Sequence, residues 1–460
     1  MQEIIRQGIN HVLNMGASYA EARGIKATHT NISARDGEIK KIHDFTDIGI
    51  GIRVFHKGGI GFSYTTNTDD KNHIRNIAEN AFRIAKLSGN HEPDSGSVST
   101  LEKNKPLQVK EHPKDIPIKE KSELCLRACK VALDYDERIR TVISKLGEYH
   151  GQKYYLNSAG ADISYEFLQL GFYVQCHAYE QGTTTLGYDE CGGTYGLEIF
   201  QKPQYTIENI ATNAAEESIE ELNSKQAPEG AFPALIDPFL AGMIAHECVG
   251  HLFEADILDR ESSVELGDII SPESVTIIDE GIPPEGGFHI PYDDEGFPCQ
   301  RVELVKKGVA NSYLHNRKTS SMHGVEPTGN ARAQDYSFEP LVRLRNVYFK
   351  PGQTNYKEVL QDIDEGIYAI DLVSVNRKKD FFFFKVSRGY WVENGECKYP
   401  LKDFKLRVNP LSVMKKIELV CDDFRIASDP FYRCKKNNQY LMVGNGGPHL
   451  YVRNVFFQRR

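Results

Sequence analysis

"IGIGIRVFHKGGIGFSYT", residues 48–65, alternates apolar with small or polar residues on both sides of the run His56-Lys57-Gly58-Gly59. A period of two, reversed at glycines, marks an antiparallel hairpin. Gly49 and Gly51 lie in the same stretch, but no helix opens after them, so a dinucleotide-binding loop is not expected there. Strand-like segments recur in "RTVISKLGEYH" (140–150) and "LGFYVQCHAYE" (170–180). Helical ones separate them. Ile4, Ile5, Ile9, Val12 and Leu13 share one face before Gly16, and apolar spacing predicts helices over about 2–15, 69–88, 119–134 and 206–224. The second of these is expected to turn Ile74, Ile77, Ala81, Phe82 and Ile84 inward.

The fold class that follows is α+β, a two-domain mixed fold with antiparallel-rich sheets flanked by helices. The division is expected at the polar run "NSKQAPEG", which gives an N-terminal α/β domain over 1–225 and a C-terminal domain over 226–460. Residues 89–119, polar and punctuated by Pro93, Pro106, Pro113 and Pro117, read as a long surface excursion.

Composition limits what such a chain does. Its 460 residues are 40% hydrophobic and 26% charged, as in a globular protein of two or three domains. A net charge of −9 argues against a broad nucleic-acid footprint, and short basic runs such as Arg377-Lys378-Lys379 read as solvated faces. Nine cysteines, an odd number without regular spacing, suit reduced thiols in a cytosol. The N-terminal segment, broken by Glu3 and Arg6, reads as neither a secretory signal nor a membrane span.

The chemistry concentrates in "MIAHECVGHLFEAD", residues 243–256. A short strand, "FPALID" (232–237), precedes it, and Pro238 begins a helix that carries the motif. Histidines four apart on a helix lie about 40° from one another and share a face; five apart, as His246 and His251 are, they diverge by about 140°. A helix that ends or bulges at Gly250 would swing His251 back toward His246. Glu247 is then placed to take a proton from a metal-activated water. Glu254 and Asp256 read as solvating the helix end rather than orienting the histidines. A catalytic zinc usually takes three protein ligands, and local chemistry does not choose the third.

Further blocks supply a resemblance. "GASYAEARGIKATHTNISARDGEI", the hairpin of 48–65, "HECVGHLFEAD", "DDEGFPCQRVELVKKGVANSYLHNRKTS" (293–320), "PTGNARAQ" (327–334), "GYWVENGE" (389–396) and "VGNGGPHLYVRN" (443–454) follow one another in order. In this series the chain resembles the TldD/PmbA family of metallopeptidases, of the TldD-like kind that keeps the HExxxH motif. The resemblance implies Zn2+ held by His246, His251 and a cysteine before the C-terminal glycine-rich block, which here is Cys434. The polar flanks Arg433, Lys435 and Lys436 would favour its thiolate; the family commonly follows the cysteine with glycine, and Lys435 stands there instead. It implies proteolysis of peptides or unfolded polypeptides inside a closed dimer, with a second copy or a paired homologue as the partner, and no nucleic acid or membrane.

Substrate contacts are read at two places. Asn330 and Arg332 lie in a polar loop with backbone donors available, a substrate or dimer contact or else a structural turn. Asn394-Gly395 turns a hairpin that would offer an edge to an extended peptide, or would be an ordinary buried hairpin. Two alternatives stay open beside the peptidase: a zinc amidohydrolase of small molecules, and a non-catalytic partner subunit with a vestigial site.

Overall fold

The computed structural model describes residues 1–88, 107–258, 264–428 and 433–459. Strands β1 (Tyr19–Arg35), β2 (Glu38–His56), β3 (Gly59–Thr65), β4 (Ile139–Asn157), β5 (Asp162–Glu180) and β6 (Thr183–Gly193) form one sheet. Their order is β3-β2-β1-β4-β5-β6, and every pair is antiparallel. Lys57 and Gly58, with φ of 48° and 80°, make the reversal between β2 and β3, so residues 48–65 are the hairpin that their alternation predicts.

Helices α1 (Gln2–Asn14), α2 (Lys71–Leu87), α3 (Ile118–Tyr135) and α4 (Ile207–Leu222) end within two residues of the expected limits. They cover one face of this sheet. α1 and α2 pack Ile5, Ile9 and Phe82 on Ala20, Ala22 and Ile52, while α3 and α4 cover Val142, Leu146 and Phe172. One expectation for α2 fails: Ile84 is 46% exposed, and Ala85 takes its place in the buried stripe with Ile74, Ala78 and Ala81. A stripe set at 74, 78, 81 and 85 leaves position 84 off the packed face. Most of the excursion expected at 89–119 lies outside the described residues. Its end is stitched down, with Leu197 N donating to Glu111 O at 2.9 Å and Pro113–Asp115 forming a 3-10 turn.

Two mixed sheets, with two short two-stranded pairs beside them, make up the second half. The six-stranded one runs Val309–Ala310, Val302–Lys306, Ile277–Glu280, Asn346–Phe349, Gly444–Gly447, Arg425–Ala427. In the eight-stranded one, Leu450–Arg459 lies in the interior between Gly230–Ile236 and Phe404–Val408. Helix α5 (Pro238–Ile244) packs against strands of both sheets, Gly444–Gly447 and Glu365–Lys378. It is buried nearly all round, as a helix apolar on every side must be.

Alternation along β1 settles how the halves meet. Ala20 and Ala22 face the helices, so Glu21, Arg23, Ile25 and Ala27 face the other way, onto the second half. There Glu21 accepts from Arg53 Nε at 2.6 Å, from Arg317 Nη2 at 3.0 Å and from Tyr155 Oη at 2.7 Å. Arg53 also reaches Glu295 at 2.6 Å, and Glu295 accepts the Arg317 backbone N–H at 2.8 Å. All four charged side chains are buried and mutually compensated. Burial alone would raise the Glu21 carboxyl, but Arg317 and Arg53 hold it down at about 2.

Removing one member of such a set strands a buried charge, at about 3–5 kcal/mol. Arg317→Ala should therefore lower the urea midpoint by an amount equivalent to that range. Glu21 has a folded value below its ordinary 4.5, so its contribution is fully present above about pH 4.5 and is lost as pH falls toward 2. The wild-type melting temperature should drop through that window, and the drop should be smaller in Arg317→Ala; a variant as stable as wild type, with the same acid profile, would show that the cluster does not hold the halves together.

Candidate metal centre

Asp237 ends the strand Gly230–Ile236 and caps α5, accepting Leu240 N at 2.9 Å, with Pro238 in the first turn. The helix does not run on regularly. After Ile244 it widens into a π turn, Ala245–Val249, in which the Gly250 N–H reaches back to the carbonyls of Ala245 and His246, and it then tightens into the 3-10 turn Gly250–Phe253. A π turn bonds residues five apart, so it stacks the two histidines that an α-helix would separate. Their rings lie 4.8 Å apart at 89°.

Gly250 itself is not the distortion. Its φ of −49° is ordinary for any residue; a β-carbon there would stand 2.7 Å from Leu344 Cδ1, so a larger residue would have to displace that methyl group. The irregular backbone belongs to Val249, at φ −126° and ψ −58°.

His246 is fully buried, and its Nδ1 lies 2.9 Å from Asn445 Oδ1. Since that oxygen only accepts, Nδ1 carries the proton and Nε2 keeps its lone pair. Nε2 is buried with no hydrogen-bond partner. Cys434 stands on the strand Arg433–Lys436, paired with Gln439–Met442, and its Sγ lies 3.4 Å from His251 Nε2. The donor atoms of His246, His251 and Cys434 all fall within 4.8 Å of one another. This set fits zinc: two imidazoles and one thiolate leave a fourth position open, and one donor already lacks any other partner.

The surroundings of the donors are built for charge. Burial alone would raise the Cys434 thiol, but the imidazoles of His246 and His251 hold it well below the ordinary range. Cys434 is thus buried despite its polar flanks. Glu254 is buried as well, which corrects its reading as a solvated helix end. Its Oε2 lies 2.9 Å from His251 Nδ1 and 3.0 Å from Lys436 Nζ; burial would raise its carboxyl, and these two partners bring it to about 2. Lys436 also donates to Asp256 Oδ1 at 2.6 Å, so Glu254 orients His251 while Asp256 holds the lysine in place. Burial would lower the basicity of His251, but Glu254 and Cys434 raise it well above its usual value. Arg343, wholly buried, donates to the Cys434 carbonyl at 2.6 Å and fixes the hairpin. Glu247 occupies the π turn beside His246 and is half-buried.

The residues read as substrate contacts separate. Asn330 is fully buried, its Nδ2 donating to Asp279 Oδ1 and Arg343 O and its Oδ1 accepting from Thr328, so it braces the loop and presents nothing to a substrate. Arg332 donates to Met442 O and lines a cavity of about 200 Å³ between β1, β4, β5 and the Cys434 hairpin, with Tyr149, Tyr165, Phe167 and Arg433 among its walls. Asn394 and Gly395 form the expected tight turn, with φ of 50° and 75°, but their N–H groups donate to Asp364 O and Ile363 O. That turn is held against the 363–364 loop and does not line the cavity.

Sequence comparison agrees with this arrangement. Residues 20–85, 111–222 and 229–459 match the PmbA/TldA metallopeptidase domain 1, central domain and C-terminal domain, respectively. A metalloprotease of Methanocaldococcus jannaschii is 32% identical over 95% of this chain and 96% of its own length. The chain belongs to the TldD/PmbA metallopeptidase family. A zinc metalloprotease TldD homolog of Saccharolobus solfataricus is 28% identical over 96% of each chain. Among solved structures, TldE from Thermococcus kodakarensis superposes with a TM-score of 0.78 at 18% identity over 99% of both chains. A Thermotoga maritima protein, designated a candidate modulator of a DNA gyrase, gives 0.81 at 21% and 99% of both. The fold is therefore that of TldD- and TldE-like proteins.

Asn445 was not foreseen as a partner of His246, although it sits in the "GNGG" block. A residue that fixes the tautomer of a ligand is typically worth ~10–100-fold in metal affinity. Asn445→Ala should weaken zinc binding by that factor in a chelator competition while leaving the circular dichroism spectrum unchanged. Equal affinity in the variant would remove Asn445 from the site.

Proposed function

We propose that this chain is a zinc-dependent peptidase of the TldD-like kind, hydrolysing peptides or unfolded polypeptides. One observation carries the reading: His246, His251 and Cys434 converge around a buried nitrogen that has no partner in the protein. Zinc in this position would supply a Lewis acid that polarises a peptide carbonyl and makes water a stronger acid. Glu247 is the general base, adjacent to His246 on the same turn, taking the proton of the attacking water and passing it to the leaving amine. Asn445 and the Glu254–Lys436 pair hold the two imidazoles with their Nε2 atoms toward the centre. Arg332 and the tyrosines of the neighbouring cavity receive substrate, whose backbone supplies most of the recognition and so tolerates many sequences.

On this reading residues 1–225 and 226–460 are the two domains, and the working unit is a closed dimer with a second copy or a paired homologue. The chain acts in the cytoplasm, where nine free cysteines persist as thiols. No helix among the described residues is long and apolar enough to cross a membrane.

Protein purified without chelator should hold about one zinc per chain, and Cys434→Ala should lose it, as elemental analysis would show. Glu247→Gln preserves shape and removes only the base. It should keep its zinc and its melting temperature while cleavage of an unstructured peptide mixture falls at least ~100-fold. Wild-type turnover in a zinc-loaded Glu247→Gln protein would sink the assignment of the base, and wild-type protein devoid of metal would favour a non-catalytic subunit.

A further inference from the structure

A second cavity, of about 210 Å³, opens on the seam between the halves, with walls from Tyr188 and Asp189 of β6, Tyr205, Asn213 of α4, and three charged residues of the second half. Those three are Asp371, Arg388 and Arg425. The Nε atoms of both arginines are buried and have no hydrogen-bond partner. Among the described residues, none of the three side chains makes a hydrogen bond or ion pair. Both arginine side chains are half-buried, with the Arg425 guanidinium over the Tyr205 ring, and both line the cavity without a hydrogen-bonded acid.

The acids nearby balance this charge through space without bonding to it. Asp189 accepts its own chain at Glu190 N and the Asn213 amide with its two oxygens, at 2.8 Å each. Glu217 is likewise occupied, by Tyr188 N at 2.9 Å and Ser387 Oγ at 2.7 Å. Asp371 departs from regular strand geometry: its φ is +56°, a left-handed conformation that costs a non-glycine residue energy, beside the β-bulge at Leu372–Ser374. Tyr188 Oη holds the bulge through the Leu372 carbonyl at 2.8 Å. Strain of this kind accumulates where a side chain must face a ligand.

We propose that this cavity binds a free α-amino acid. Two guanidiniums without a hydrogen-bonded acid match a carboxylate, and one carboxylate without a hydrogen-bonded cation matches an ammonium group. A simple anion such as phosphate would set its charge against Asp371 and Asp189, and a simple cation would meet both arginines; a dipolar molecule avoids both penalties. The volume admits about one residue. Only in a free amino acid do the ammonium and carboxylate sit on one carbon; a peptide sets them further apart with every added residue. Tyr188 and Tyr205 would pack against the side chain. The inference is independent of the metal centre, although a free amino acid is also an end product of peptide hydrolysis.

Titration calorimetry on the full chain tests it, with L-alanine, L-valine, L-leucine, N-acetyl-L-leucine, L-leucinamide and inorganic phosphate as probes. At least one free amino acid should bind with a Kd of ~1 mM or tighter, and blocking either its ammonium or its carboxylate should weaken it ~10-fold or more. Arg388→Gln and Arg425→Gln, with folding checked by circular dichroism, should weaken it by a similar factor, and Glu247→Gln should not. Comparing blocked with free ligands on the wild-type protein needs no variant, so a folding defect cannot mask the result. Absence of binding at ~10 mM, indifference to blocking, equal binding of phosphate, or full affinity in both arginine variants would overturn the proposal.

Discussion

A β-carbon on Gly242 would stand 2.0 Å from the backbone nitrogen of Gly446, so helix α5 and the strand Gly444–Gly447 can lie this close only while residue 242 is glycine. That approach brings Asn445 against His246 and joins the helix of the motif to the six-stranded sheet. The π turn then acts from a fixed platform. With the first histidine anchored from behind, the extra residue between Glu247 and His251 goes into widening the turn, and the second imidazole comes round to meet the thiol. Were the helix free to shift, the same widening would move His246 as readily as His251.

Charge is handled in one manner at the seam and at the metal centre. Glu21, Arg53, Glu295 and Arg317 sit dry between the halves, and Glu254, Lys436 and Asp256 sit behind His251; each carboxylate finds a cation within hydrogen-bonding reach. The two sets differ in purpose. The seam is closed on itself and adds rigidity between the sheet of β1–β6 and the second half. The set behind His251 passes its charge onward through the imidazole and makes that ring a stronger donor. The cavity of Asp371, Arg388 and Arg425 lacks such closure.

How much of this was legible in the residues follows from the range of the interactions. The hairpin at 48–65 and the four N-terminal helices depend on neighbours a few positions away, and their limits were readable from periodicity. So was the need for an irregular turn before His251, which is helical arithmetic. The bulge falls where it was expected, directly before Gly250, but the packing of Leu344 on that glycine was not readable, because Leu344 lies far along the chain, where local rules do not reach. Glu254 resembled a solvated acid at a helix end; what buries it is Lys436, 182 residues later. Asn330 looked available in a polar loop, but Asp279 and Arg343 consume its amide. Cys434 came from resemblance alone, since no spacing links a thiol to a histidine 183 residues before it.

The interior place of Leu450–Arg459 in the eight-stranded sheet bears on the order in which the molecule comes into being. A ribosome delivers β1 to β6 and their four helices well before the second half has its middle. Until the strand 450–459 emerges, Gly230–Ile236 lacks its antiparallel neighbour and is held on one side only, by Glu365–Lys378. The thiol and the amide that complete the centre follow their histidine partners by 183 and 199 residues. A nascent chain therefore carries the imidazoles without the rest of the donor set for as long as it takes to make those residues, and the centre is assembled only once they have emerged.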